Sequence, residues 1–203
     1  FLFLQLDGAS DKEMGSDQIK GSVQRKQAVN DNYERQKTYD RRHLFPVQHC
    51  HDQDTADSTF TLTNAVPQQE TFNRGVWCRM EMTVIDLVED NCEANSTYIV
   101  TGVVPGTTKL KNLVNIHVLM WTAFCCEDKK YRKMVSQAHY GNNSNEKVVN
   151  PVSLEKLEKH LKDHYNMDID VFGGRCEKNT DLAESSSPPT KRRKSDNSCS
   201  DDF

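Results

Sequence analysis

The chain has 203 residues, with 26 Lys and Arg against 30 Asp and Glu, a formal net charge of −4 and 35% hydrophobic residues. This length suits one domain with a tail. The negative balance provides no global positive field, so contact with a polyanion would depend on local basic groups. No run approaches the roughly 18 apolar residues of a transmembrane helix, so the sequence predicts no membrane span.

The chain begins without Met in the apolar run FLFLQL. This run is typical of the end of a strand, so we expect that the N-terminus is truncated. Residues 7–38 are polar and lack a sustained hydrophobic period. They are expected to form loop with one short helix.

Five later segments carry clear secondary-structure patterns. Ser58–Asn64 alternates apolar residues with threonines and predicts a half-buried strand. Phe72–Val88 has apolar residues at helical spacing. Tyr98–Val104 and Ile116–Phe124 are β-branched or aromatic runs, typical of buried strands of a central sheet. Ser153–Tyr165 begins with a capping serine and predicts a short amphipathic helix.

Composition changes near Cys176, after which Ser, Pro, Asp and Lys dominate. Residues 1–176 are therefore expected to form the folded domain, and residues 177–203 a disordered tail that includes the basic run Lys191–Lys194. Seven cysteines without a CxxC pair, together with two Asn-X-Ser/Thr sequons, favour a secreted protein with disulfide bonds. The basic tail keeps a nuclear or cytoplasmic location open.

One group of residues carries the elements of phosphodiester hydrolysis. His43 follows Asp40, and Asn73, Trp77 and Glu81 follow at i, i+4 and i+8 on the predicted helix. That spacing places an amide oxygen and a carboxylate on one helical face. An imidazole suits a general base, and Mg²⁺ needs only one or two protein oxygens because it keeps most of its waters. The cluster from His49 to Asp54 offers a less favoured transition-metal alternative.

Three blocks, YDRRHLFP, STFTLTNAVPQ and FNRGVWCRME, resemble in order and spacing the motifs of the DNA/RNA non-specific endonucleases. The similarity is strongest to the endonuclease domain-containing protein 1 group and spans about Leu4 to Phe172. The resemblance implies an α+β class and the ββα-metal (His-Me finger) nuclease fold, with a central sheet flanked by helices. It also implies Mg²⁺, or another divalent cation, as cofactor, and DNA, RNA or both as partners.

The resemblance assigns roles residue by residue. His43 corresponds to the base, Asn73 to the metal ligand and Glu81 to an acidic partner that acts through a water. Asn64 corresponds to the residue that orients the histidine and phosphate, and Asp40 to the first residue of the histidine motif.

Three arginines are further predicted site residues. Arg41 is placed with the catalytic set, and Arg42 and Arg79 are assigned to substrate phosphate. The family motif reads Asp-Arg-Gly-His, so Arg42 replaces a glycine. It is expected either to strain the turn before the base or to add a phosphate contact. The predicted function is a Mg²⁺-dependent non-specific endonuclease; the alternative is an inactive nuclease-like protein that binds nucleic acid or serves innate defence.

Overall fold

The computed structural model describes residue 28 and residues 30–34 and 38–178. The N-terminal strand end, most of the polar segment 7–38 and the basic run of the tail lie outside these residues. In the described part of residues 7–38, Asn30–Tyr33 forms helix α1. Residues 177 and 178 lie beside the last helix, where the Lys178 carbonyl accepts from the Glu155 N–H at 3.2 Å.

A two-stranded antiparallel ribbon forms the first part of the fold. Strand β1 is Tyr39–His43 and strand β2 is Ala65–Gln69. Asp40 pairs with Gln68, Arg42 with Val66 and His43 with Ala65. The connection contains helix α2, Gln53–Thr59, and two short 3₁₀ turns, Val47–His49 and Leu62–Asn64.

The predicted strand Ser58–Asn64 is wrong, because this segment ends helix α2 and forms the second 3₁₀ turn. Asp52 caps α2, its side chain accepting from the Thr55 N–H at 2.7 Å. Threonine hydroxyls also bind local backbone: Thr59 Oγ1 donates to the Ala56 carbonyl at 2.7 Å. Such local bonds compete with strand pairing despite the β-favouring composition.

The helix expected over Phe72–Val88 is present and longer. It begins as a π-helical segment, Phe72–Trp77, and continues as helix α3, Cys78–Asn91. Its buried side chains face the main sheet and lie in one cluster with residues of the second sheet strand: Phe72, Val76, Trp77, Met80, Val84, Met120 and Phe124.

The main sheet has four antiparallel strands in sequential order: β3 Tyr98–Leu110, β4 Val114–Glu127, β5 Met134–Asn142 and β6 Pro151–Val152. Both strands predicted for the sheet are confirmed and extend further than expected. Helix α4, Leu154–Tyr165, packs on the opposite face from α3, and the Ser153 hydroxyl caps it by accepting from the Lys156 N–H at 3.2 Å. Ribbon, sheet and helices confirm the α+β class.

Two disulfides among the described residues join the sheet to its surroundings. Cys92, just after α3, is bonded to Cys126, and Cys125 is bonded to Cys176. Because Cys125 and Cys126 are adjacent on β4, the two bonds fix both layers that cover the sheet. No helix in the described ranges has the length and apolar character needed to cross a lipid bilayer.

Candidate active site

The ribbon presents two different faces because side chains alternate along a strand. Asp40 and Arg42 lie on the face that meets the start of the π-helical segment. Arg42 is 3% exposed, and its Nη2 lies 3.1 Å from Asp40 Oδ2. Gln68, the strand partner of Asp40, is fully buried on this face, and its Nε2 contacts the Met120 sulfur.

Asn73 meets this face through its side-chain amide. In the orientation that its neighbours require, the amide nitrogen donates to Gln68 Oε1 at 2.6 Å. The amide oxygen then accepts from Arg42 Nε at 2.8 Å and from the Arg74 N–H at 3.3 Å. The oxygen assigned to a metal is therefore hydrogen-bonded to a guanidinium.

A second guanidinium adds to this cluster. Arg74 Nη2 lies 3.4 Å from Asp40 Oδ2, and Arg74 Nη1 lies 3.0 Å from Glu70 Oε1. Asp40 is thus shared between Arg42 and Arg74. Sequence reasoning did not identify Gln68 or Arg74; the Gln68–Asn73 pairing depends on ribbon register, and only the position of Arg74 beside Asn73 offered a signal.

Arg42 does not strain the backbone. It is an ordinary β1 residue paired with Val66, and none of the described residues with positive φ belongs to β1. The expected strain is therefore wrong for this chain. The second expectation, a contact with substrate phosphate, stays a prediction.

His43 ends β1 on the face opposite to Arg42. Its ring makes an edge contact with Phe60, with centroids 4.7 Å apart. Burial, followed by the positive charges of Arg42 and Arg41, lowers the pKa of His43 from 6.5 to about 4. The imidazole is therefore neutral at pH 7, the form that can accept a proton.

Asn64 fixes the chain that follows His43. Its side-chain oxygen accepts from the Phe45 N–H at 2.9 Å, and its nitrogen donates to the Phe45 and Thr59 carbonyls, both at 2.9 Å. Its backbone carbonyl also accepts from the Leu44 N–H at 2.7 Å. Asn64 is buried and holds the turn after the base by these four bonds.

Glu81 lies on α3 and binds the indole of Trp77, whose Nε1 donates to Glu81 Oε1 at 2.8 Å. The residue is partly exposed, but its carboxyl lies in a buried setting that raises the pKa to about 8, an effect that the Trp77 hydrogen bond opposes. Trp77 is 1% exposed, and its ring packs on that of Phe72 with centroids 5.3 Å apart. The core role expected for this tryptophan is confirmed.

The two remaining arginines lie away from the Asn73 amide. Arg41 shares the His43 face and donates to the Asn30 side chain near α1. Arg79 is exposed on α3 and makes no ion pair with another described residue. The structure thus brings Asp40, Arg42 and Asn73 together and leaves Arg79 outside that cluster.

The residues do not fit a divalent cation in this arrangement. The Asn73 oxygen accepts from Arg42 Nε, Asp40 pairs with two guanidiniums, and Glu81 is bonded to Trp77. A cation beside Asn73 would face the positive charge of Arg42 at close range. The described ranges also contain no group of three His, Cys, Asp or Glu arranged to hold a metal ion.

The alternative metal cluster has other contacts. His49 Nε2 lies 3.4 Å from the Glu81 carbonyl oxygen, and Cys50 is a free thiol. The His51 side chain is largely exposed, and its Nε2 lies 2.7 Å from Asp52 Oδ2. These side chains do not converge on one point within the described part of the chain.

Comparisons with known proteins agree with the motifs and the fold. A model of the family described as DNA/RNA non-specific endonuclease matches residues 8–171. The human endonuclease domain-containing 1 protein is 31% identical over 106 residues, which are 52% of this chain and 21% of that protein. The mouse protein of the same description is 35% identical over 103 residues, covering 50% of this chain and 20% of its own length.

Among solved structures, the crystal structure of the EndoG/EndoGI complex matches with a TM-score of 0.52 and 23% sequence identity. The match covers 64% of this chain and 60% of that one. At this identity the similarity shows the fold alone. The chain spans about a fifth of the curated relatives and under two thirds of the structural one.

Proposed function

The chain belongs to the DNA/RNA non-specific endonuclease family, and from that membership we propose that it binds and hydrolyses the phosphodiester backbone of DNA or RNA. The observation that carries the proposal is the setting of His43. A neutral imidazole lies close enough to the guanidiniums of Arg41 and Arg42 for both to lower its pKa. A phosphodiester carries the negative charge that this setting lacks.

In the proposed reaction His43 accepts a proton from the water that attacks phosphorus. The new P–O bond forms as the bond to the leaving sugar oxygen breaks, and the leaving oxygen takes a proton from solvent. Arg41 and Arg42 offset charge on the phosphate, as guanidiniums do in other phosphate sites. Asn64 acts on the base indirectly, by holding the Leu44–Phe45 turn.

Non-specificity follows from what the proposed site contacts. Imidazole and guanidinium groups that bind phosphate read neither base edges nor the 2′-hydroxyl. The Mg²⁺ dependence implied by the resemblance would require the Asn73 oxygen to leave Arg42. Secretion is part of the proposal, because the two disulfides among the described residues are typical of an oxidising compartment.

The second candidate function is nucleic-acid binding without hydrolysis. It is favoured by the 2.8 Å contact between Arg42 Nε and the Asn73 oxygen, which occupies the amide that the family uses for its cation. In this reading the fold keeps a phosphate-binding surface, and the cleavage chemistry is lost.

One assay separates the two functions. Purified protein is incubated with supercoiled plasmid and with single-stranded RNA, in EDTA and in Mg²⁺, beside His43→Ala and the control His51→Ala. His51 is a fitting control because its side chain is 86% exposed and lies outside the site. Hydrolysis predicts cleavage that falls about 10²- to 10⁴-fold in His43→Ala and is unchanged in the control.

Two results would contradict hydrolysis. If the His43→Ala variant still cleaves, His43 is not the general base. A folded protein that shifts labelled DNA and RNA in gels, yet cuts neither under any condition, would establish the binding function instead.

A further inference from the structure

We infer that the Arg42 guanidinium takes the place of the divalent cation in this site, so that the chain binds phosphodiesters without a metal and gains a cation site when Arg42 is removed. The inference rests on the proposed function only for the nature of the ligand, a nucleic-acid phosphate. The cation site itself is argued from Asp40, Arg42 and Asn73.

Arg42 contacts two oxygens of the kinds that bind divalent cations in proteins. Nε lies 2.8 Å from the Asn73 amide oxygen, and Nη2 lies 3.1 Å from Asp40 Oδ2. One amide oxygen and one carboxylate oxygen are the ligands that hard divalent cations take from proteins. Here both oxygens bind the same planar guanidinium.

Neighbouring residues hold these oxygens in place. Gln68 Oε1 accepts from the Asn73 amide nitrogen at 2.6 Å, and Gln68 is fully buried on the ribbon. Arg74 binds Asp40 and Glu70 from the other side. The amide and the carboxylate are therefore fixed independently of Arg42, so they are expected to keep their positions when the guanidinium is removed.

A purely structural role for Arg42 predicts a different outcome. A buried arginine that only braces Asp40 would leave a destabilised site after substitution, with no affinity for a cation. Cation replacement predicts a gain: once the Arg42 charge is removed, the Asn73 amide oxygen and Asp40, which keeps its ion pair with Arg74, acquire affinity for Mg²⁺ or Mn²⁺. The direction of the change in metal affinity distinguishes the two roles.

The test uses the full chain and four variants. Arg42→Gly restores the family residue. Arg42→Met keeps the aliphatic side chain without the charge, and Arg42→Lys keeps the charge without the planar guanidinium. Arg175→Met is the matched control, because Arg175 is an exposed arginine with no role in the predicted site. Circular dichroism and thermal melting establish folding, and Arg42→Met carries the test if Arg42→Gly does not fold.

Mn²⁺ binding is measured by electron paramagnetic resonance without nucleic acid. Arg42→Gly and Arg42→Met are expected to bind one Mn²⁺ at least about tenfold more tightly than the parent, Arg42→Lys and Arg175→Met. Equal Mn²⁺ affinity in the parent and in folded Arg42→Met would overturn the inference.

Fluorescence anisotropy with a labelled oligonucleotide provides the second readout. The parent is expected to bind equally in EDTA and in Mn²⁺, whereas Arg42→Met should bind about tenfold more weakly in EDTA and regain affinity in Mn²⁺. A parent that binds only with Mn²⁺ would overturn the inference. If Mn²⁺ affinity rises as expected while no variant cleaves, hydrolysis fails and cation replacement stands.

Discussion

Replacing Asn64 is predicted to destabilise the protein and to weaken the turn that follows the base. Its side chain makes three hydrogen bonds of 2.9 Å, one to the Phe45 N–H and two to the Phe45 and Thr59 carbonyls. A neutral hydrogen bond contributes about 1 kcal/mol net, so Asn64→Ala should lower the free energy of unfolding by about 3 kcal/mol. Urea unfolding followed by tryptophan fluorescence measures this change.

Asn64→Asp sharpens the test because it is nearly isosteric. The carboxylate keeps the acceptor for the Phe45 N–H but turns a second oxygen toward the Phe45 and Thr59 carbonyls. It should therefore destabilise the protein at pH 7 at least as much as Asn64→Ala. Protonation supplies one donor, so the defect should shrink as the pH falls through the raised pKa of the new carboxyl.

The matched control is Asn91→Ala, which removes one side-chain bond, from Asn91 Nδ2 to the Leu87 carbonyl at 2.8 Å on α3. Its cost should be about 1 kcal/mol. A loss of unfolding free energy in Asn64→Ala no larger than that in Asn91→Ala would contradict the stabilising role of the three Asn64 bonds. The positioning role is refuted separately if Asn64→Ala leaves the cleavage or binding of folded protein unchanged.

Two further outcomes follow from the sheet. Burial lowers the pKa of both His117 and His139 from 6.5 to about 4, so the stability that they contribute is complete above pH 6.5 and is lost as the pH falls toward 4. At 1.36 kcal/mol per pKa unit the loss is about 3 kcal/mol for each, and urea midpoints measured from pH 7 to pH 4 should fall less steeply in His117→Gln. Replacing Cys125 and Cys176 by Ala opens a crosslink between residues 51 apart and should cost about 4 kcal/mol, whereas Cys50→Ala, at a free thiol, should melt like the parent.

Most of the fold could be predicted from the sequence because its main helix and strands have clear hydrophobic patterns. The helix over Phe72–Val88 and the strands at Tyr98–Val104 and Ile116–Phe124 bury regular apolar rows, and all three predictions are confirmed. Ser58–Asn64 failed because the Asp52 cap and the threonine hydroxyls satisfy the backbone locally. Alternating composition cannot reveal a competing helix cap.

The sequence predicts which residues belong to the candidate site, but not how their side chains are arranged. The motifs predict Asp40, His43 and Asn73 as site residues, but they do not predict the contacts between Asn73 and the ribbon. Asn73 binds Gln68 and Arg42 of the ribbon, whereas Glu81 binds the indole of Trp77. These contacts depend on the pairing of β1 with β2, which joins residues far apart in sequence.

The ribbon explains how one substitution can alter the cation position without displacing the base. Arg42 and His43 are adjacent, so strand alternation sends their side chains to opposite faces. The two faces meet where the ribbon ends, at the pair of His43 and Ala65. Removing the Arg42 guanidinium from one face is therefore expected to leave His43 in place on the other face, because Asn64 still holds the turn after His43.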